Sequence, residues 1–182
     1  MKRTVIGGVA LALIAAAAVY IGDALNLGLG NPLLGVGLGG VLALAPGEHK
    51  LGRLAGFLVG VLLALVGYGF SAQFMPASSG GAAATAVVTL ALATAAAALS
   101  FGRMPLWSVL LGVAGFVGAY DYIYDDKPYD FLNSSVETLA SFLVVFGLGY
   151  LTAALIDWLF PDEEVAAAAG QDSDLVTVGS EN

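Results

Sequence analysis

Cysteine is missing from this chain of 182 residues, histidine occurs once, and lysine and arginine together number six. Without cysteine there is no disulfide, no thiolate metal site, no lipoprotein anchor and no cysteine nucleophile. The lone histidine, His49, makes neither a metal site nor a catalytic dyad. Beside Glu48 in a basic loop it reads as a solvated side chain, with a pH sensor as the alternative. Six basic residues against fourteen acids leave no electrostatic footprint for nucleic acid. Nothing matches a phosphate loop, a nucleophile elbow or a zinc motif. No enzyme is expected, and no catalytic, cofactor-binding or metal-ligating residue. Charge of either sign is scarce: 11% of residues are charged, where a soluble domain carries about 25%.

What is present is apolar. With 59% hydrophobic residues, the chain cannot hide its surface in one soluble core, so a lipid bilayer is the expected solvent. Six apolar segments, at about 4–22, 27–45, 54–70, 82–101, 105–120 and 138–159, contain no ionisable residue except Asp157. They are long and continuous, so they read as helices and not as barrel strands. The expected fold is an all-α integral membrane bundle of six transmembrane helices over 1–160. It is followed by an acidic, disordered cytoplasmic tail over 161–182. Five of the six basic residues (Lys2, Arg3, Lys50, Arg53 and Arg103) fall on one side of these spans. Cytoplasmic loops retain such residues, so the chain is expected to be multi-pass in the cytoplasmic membrane with both termini cytoplasmic. The start, MKRTVIGGVALALIAAAAVY, also fits a cleaved signal peptide, although its apolar run is longer than usual.

The second half echoes the first. Pro32-Leu-Leu-Gly-Val-Gly-Leu-Gly39 aligns with Pro105-Leu-Trp-Ser-Val-Leu-Leu-Gly112 at an offset of 73. Leu54-Ala-Gly-Phe-Leu-Val59 aligns with Leu139-Ala-Ser-Phe-Leu-Val144 at an offset of 85. The 12-residue difference is absorbed by the long loop 121–137 after the fifth span. Three helices per half is odd, so the halves enter the bilayer from opposite sides. That predicts two inverted three-helix repeats, an arrangement that recurs in transporters. The proline-led glycine-rich helix, the short basic loop and the LxxFL-type helix, each seen twice, resemble small six-helix prokaryotic inner-membrane proteins of the YcdZ type. The resemblance covers most of the spans and brings no established function with it.

Asn31-Pro32 and Met104-Pro105 open the second and fifth spans, proline at the first helical position and Asn31 as N-cap. Residues 32–45 and 105–120 reach only about 21 and 24 Å, short of the roughly 30 Å hydrocarbon core, and 27–30 would complete the second span as a looser leading turn. Such short segments in matching places point to a transporter site. Gly35 and Gly39, matched by Ser108 and Gly112, are spaced to let helices approach closely, as are Gly56 and Gly60, a pair not kept in the sixth span. The candidate pathway or packing residues are therefore Asn31, Pro32, Gly35, Gly39, Pro105, Trp107, Ser108 and Gly112. With no charge at membrane depth, a permeant would be neutral or weakly polar. In the outer loop, Asp121, Asp125, Asp126 and Asp130 with Tyr120, Tyr122, Tyr124 and Tyr129 read as an interface belt. A cation-attracting vestibule or divalent site is the alternative. The leading function is a small permease or channel-like protein for a neutral small solute. The second is a non-transporting accessory subunit of a larger membrane complex, and self-association into a homo-oligomer fits the same glycine faces.

Overall fold

A computed structural model of the chain describes residues 2–24, 31–45, 49–74, 79–126 and 130–160. The expected tail 161–182, the leading turn 27–30, Lys127 and Tyr129 lie outside the described residues. Among the described residues six helices follow one another: α1 (Lys2–Ala24), α2 (Pro32–Leu44), α3 (Lys50–Phe74), α4 (Ser79–Leu99), α5 (Leu106–Asp126) and α6 (Phe131–Leu159). Five are long and apolar enough to cross a membrane; α2, with 13 residues, is shorter. Among the described residues there is no strand. Large apolar side chains such as Leu13, Leu62, Val87 and Leu151 are exposed around the bundle, as contact with lipid requires and water would penalise.

α1, α3, α5 and α6 overrun their apolar segments, while α2 is shorter than its own. α3 begins at Lys50, not 54, so Lys50 and Arg53 are helical residues. The expected long loop 121–137 is mostly helix: α5 runs on to Asp126 and α6 starts at Phe131. Apolar length reports the thickness of lipid to be crossed, while a helix continues into water wherever no residue stops it. At 29 residues α6 is about 43 Å long, well beyond the hydrocarbon core. α2 starts at Pro32 as expected, but Asn31 caps it differently. Its backbone is left-handed (φ 47°) and its side chain makes no capping hydrogen bond. Its carbonyl accepts from the backbone N–H of Leu34 and Gly35 instead. Pro105 immediately precedes α5. The turn before it uses a positive φ at Phe101 and Gly102, held by Ser100 Oγ, which donates to the Ala97 carbonyl and accepts from Met104 N–H at 3.0 Å.

Two helix pairs dominate the packing, α2 with α6 and α3 with α5. Both pairs run parallel: Gly52, Gly56 and Gly60 meet Arg103, Ser108 and Val109 in rising order, and Gly35 and Gly39 meet Val145 and Tyr150. The central core joins Phe57, Val61, Val109, Phe116, Phe142 and Phe146, with Phe57 and Phe146 stacked at 4.1 Å and 9° between planes. α1 packs more lightly against α6 and α2, and α4 against α3 and α5.

Candidate functional site

The glycine-spaced residues form two separate seams. A Cβ at Gly39 would fall on the Phe146 carbonyl oxygen and 2.6 Å from the Tyr150 nitrogen, and one at Gly35 would meet Val145. Across the molecule, a Cβ at Gly112 would fall on the Phe57 carbonyl, and one at Gly60 on the Val109 carbonyl. Ser108 is wholly buried against Gly56 and donates its hydroxyl to the Pro105 carbonyl at 2.8 Å. Asn31 is exposed, Pro32 and Pro105 are half-buried, and Trp107 lies on the outer surface. The structure thus places Gly35 and Gly39 on the α2–α6 face and Ser108 and Gly112 on the α3–α5 face, while α2 and α5 also touch, with Leu34 against Gly118 and Leu38 against Gly115. A larger residue at Gly35 displaces α6; it does not plug a path.

An open space lies elsewhere, between α3, α4 and α5. α4 is rich in alanine and presents side chains too short to fill the angle between it and the α3–α5 pair. A cavity of about 570 Å³ results. That volume lies within the range of small-molecule sites. Its walls are Ala64, Ala86, Leu110, Val113 and Ala114, with Thr85 and Thr89. Thr85 donates its hydroxyl to the Gly81 carbonyl of its own helix at 3.0 Å, and Thr89 is buried against Gly67. The deep part is therefore apolar.

One end of the cavity differs. Tyr68, Ser71, Asp121 and Tyr124 line it, and the Tyr68 hydroxyl donates to Asp121 Oδ1 at 2.7 Å. Among the described lining residues Asp121 is the one carboxylate. The Tyr68 ring lies 4.9 Å from that of Tyr124 and edge-on to Tyr120 at 5.2 Å. Tyr120 is buried, with its hydroxyl 2.8 Å from Ser134 Oγ. Ser134 donates to the Asp130 carbonyl, so Tyr120 is the donor. This aromatic column ties the ends of α3 and α5 to the start of α6 and fixes the cavity mouth.

The opposite end of the bundle is basic. Lys50 pairs with Asp157 at 2.7 Å, Arg53 is buried and donates Nη1 to the Ala45 carbonyl, and Gly52 packs against the Arg103 backbone. Arg53 was expected in a solvated loop, but the first turn of α3 carries it inward. Among the described residues no three metal-ligating side chains converge. Of the cavity residues, Tyr68 stands out in the sequence as a hydroxyl in an apolar segment, and Asp121 and Tyr124 as part of the acidic, tyrosine-rich stretch. Nothing in the sequence brings them together; the signal was the alanine richness of the fourth span. No family model matches the chain, and no match was found among curated proteins or solved structures.

Proposed function

We propose that this chain is a small permease for a small, largely apolar solute, built from two inverted three-helix repeats of six spans, with the α3–α4–α5 cavity as its solute site. The observation that carries the reading is the cavity itself: a half-open apolar space with polar residues at one end, the end of the bundle away from the basic residues. The accessory-subunit reading leaves such a space without a role.

Repetition of contacts supports the inverted arrangement. If α1, α2 and α3 correspond to α4, α5 and α6, each close pairing has a counterpart: α2–α6 with α5–α3, α1–α6 with α4–α3, α1–α2 with α4–α5. Gly39 against Phe146 and Tyr150 answers to Gly112 against Phe57 and Val61, and Gly149 against Val36 answers to Gly60 against Val109. The stacked rings of Phe57 and Phe146 are themselves counterparts, as a pair beside a two-fold axis would be. The α2/α5 offset in these contacts is 73 (39 to 112), as in the sequence. The α3/α6 offset is 89 (57 to 146), one helical turn from the 85 of the LAxFLV match. At that register Gly60 does have a partner, Gly149. A crossing repeat places substrate between its halves and moves one half against the other.

Parallel α3–α5 and α2–α6 pairs support alternating spans, and the gathering of Lys50, Arg53 and Arg103 at one end supports a cytoplasmic assignment for it. With no native cysteine to interfere, single cysteines test this directly. In intact cells, Tyr122→Cys is expected to react with a membrane-impermeant maleimide, and His49→Cys only after lysis. The reverse pattern would sink the topology.

For transport, purified protein in liposomes is expected to move small uncharged solutes. Ala114→Trp, whose indole would project into the cavity from an exposed position, is expected to cut flux about tenfold without unfolding the protein. Undiminished flux in that variant removes the cavity from the path. An accessory subunit has one feature in its favour: Gly8, Ala12 and Ala16 form an exposed small-residue face on α1, suited to close helix contact. Absence of flux together with loss of a copurifying partner in Ala12→Leu would favour that reading.

A further inference from the structure

We infer that the solute of the α3–α4–α5 cavity is a lipophilic amine, held at the mouth by Asp121 beside the rings of Tyr68 and Tyr124; this rests on the cavity being the solute site. A carboxylate accepts hydrogen bonds and donates none, and one of the Asp121 oxygens already accepts from Tyr68. A ligand head group matched to it must therefore donate, and a cation gains most. Two tyrosine rings line the same mouth, and the faces of such rings attract ammonium groups. Charge complementarity points the same way. Among the described residues at this end Asp121, Asp130 and Glu137 are acidic and none is basic, and a surface of one sign beside a low-dielectric cleft concentrates ions of the other. The deep walls take a hydrocarbon body, because their threonines are turned to their own helix or buried. An amine reconciles the two halves of the site. As ammonium it is caught at the mouth, and as uncharged base it suits the apolar deep walls.

The test uses the full chain in nanodiscs of zwitterionic lipid, titrated by calorimetry with 4-phenylbutylamine and with the uncharged 4-phenylbutanol. The amine is expected to bind about tenfold more tightly than the alcohol. Asp121→Asn, at an exposed helical position, is expected to abolish that preference by weakening the amine about tenfold more than the alcohol. Tyr124→Leu is expected to weaken the amine more than the alcohol, which a merely structural role would not do. Equal affinity of the two compounds for the native chain, or a preference that survives Asp121→Asn, overturns the inference. If uncharged solutes still cross liposomes in that case, the permease reading stands without it. If neither compound binds and nothing crosses, both fail.

Discussion

Gly112→Ala and Gly39→Ala are expected to destabilise the protein strongly in detergent, while Gly37→Ala and Gly147→Ala are tolerated. The four sites are all glycines within helices, so intrinsic propensity favours alanine at each by about 1 kcal/mol. What differs is the space. A Cβ at Gly37 or Gly147 meets nothing within 4 Å. At Gly112 it would overlap the Phe57 carbonyl and lie 3.0 Å from the Val61 nitrogen, and at Gly39 it would overlap the Phe146 carbonyl. Those obstacles are helix backbone, which cannot rotate aside as a side chain can. α3 or α6 must move as a whole, loosening the two best-packed pairs of the bundle. Overpacking of this kind costs about 1–3 kcal/mol, and in lipid, where close packing drives helix association, little offsets it. The clash should therefore exceed the propensity gain at Gly39 and Gly112. At Gly40 the neighbour is the flexible Leu11 side chain, and an intermediate effect is expected. Thermal unfolding followed by size-exclusion chromatography reads this out. Equivalence of the two halves adds a condition. Gly39 and Gly112 should respond alike, as should Gly60 and Gly149, and a large disparity within either pair would count against the repeat.

The sequence is informative about this fold where lipid constrains it. Six helices follow from six uncharged runs, because hydrocarbon leaves an unpaired backbone no alternative. Clustering of Lys50 and Arg103 at one end likewise follows from where they sit between runs. Helix ends were less legible. The stretches Asp121–Asp126 and Phe131–Glu137 lie beyond the apolar runs, and no proline or glycine in them stops a helix. The register of the proposed repeat shows why pattern alone falls short. Sliding α3 one turn along α6 leaves its apolar face toward the same neighbour, so the LAxFLV match at 85 and the contacts at 89 satisfy the same hydrophobic pattern. Backbone approach at Gly60 and Gly149 distinguishes them. The cavity was least legible of all. Its walls are alanine, leucine and valine, the same residues that are exposed around the bundle elsewhere, and it exists because the alanine-rich α4 leaves space beside the α3–α5 pair unfilled. Tyr68 and Asp121 are 53 residues apart, and only the pairing of α3 with α5 unites them.

Arg53→Met is expected to destabilise the bundle far more than Lys50→Met, although the two residues sit one turn apart on α3 and read alike in the sequence. Lys50 is mostly exposed, and its pair with Asp157 is a surface ion pair, worth at most about 1 kcal/mol. Arg53 is 4% exposed and donates to the Ala45 carbonyl at the C-terminal cap of α2. α2 has 13 residues, about 20 Å, shorter than the roughly 30 Å of a hydrocarbon core. Its last carbonyls have no partner within their own helix and carry the negative end of its dipole. The guanidinium of Arg53, carried in by the first turn of α3, meets both needs at once, so the short helix and the buried cation are one structural unit. Removing it leaves a carbonyl unsatisfied in low dielectric, and a hydrogen bond to a charged group is worth about 1.5–3 kcal/mol. Arg53→Lys should recover part of that loss, since it restores charge without the planar fork. Unfolding temperatures in one detergent order the variants as native, Lys50→Met, Arg53→Lys, Arg53→Met. If Arg53→Met unfolds no earlier than Lys50→Met, the cap contributes nothing and α2 is held by its seam with α6 alone.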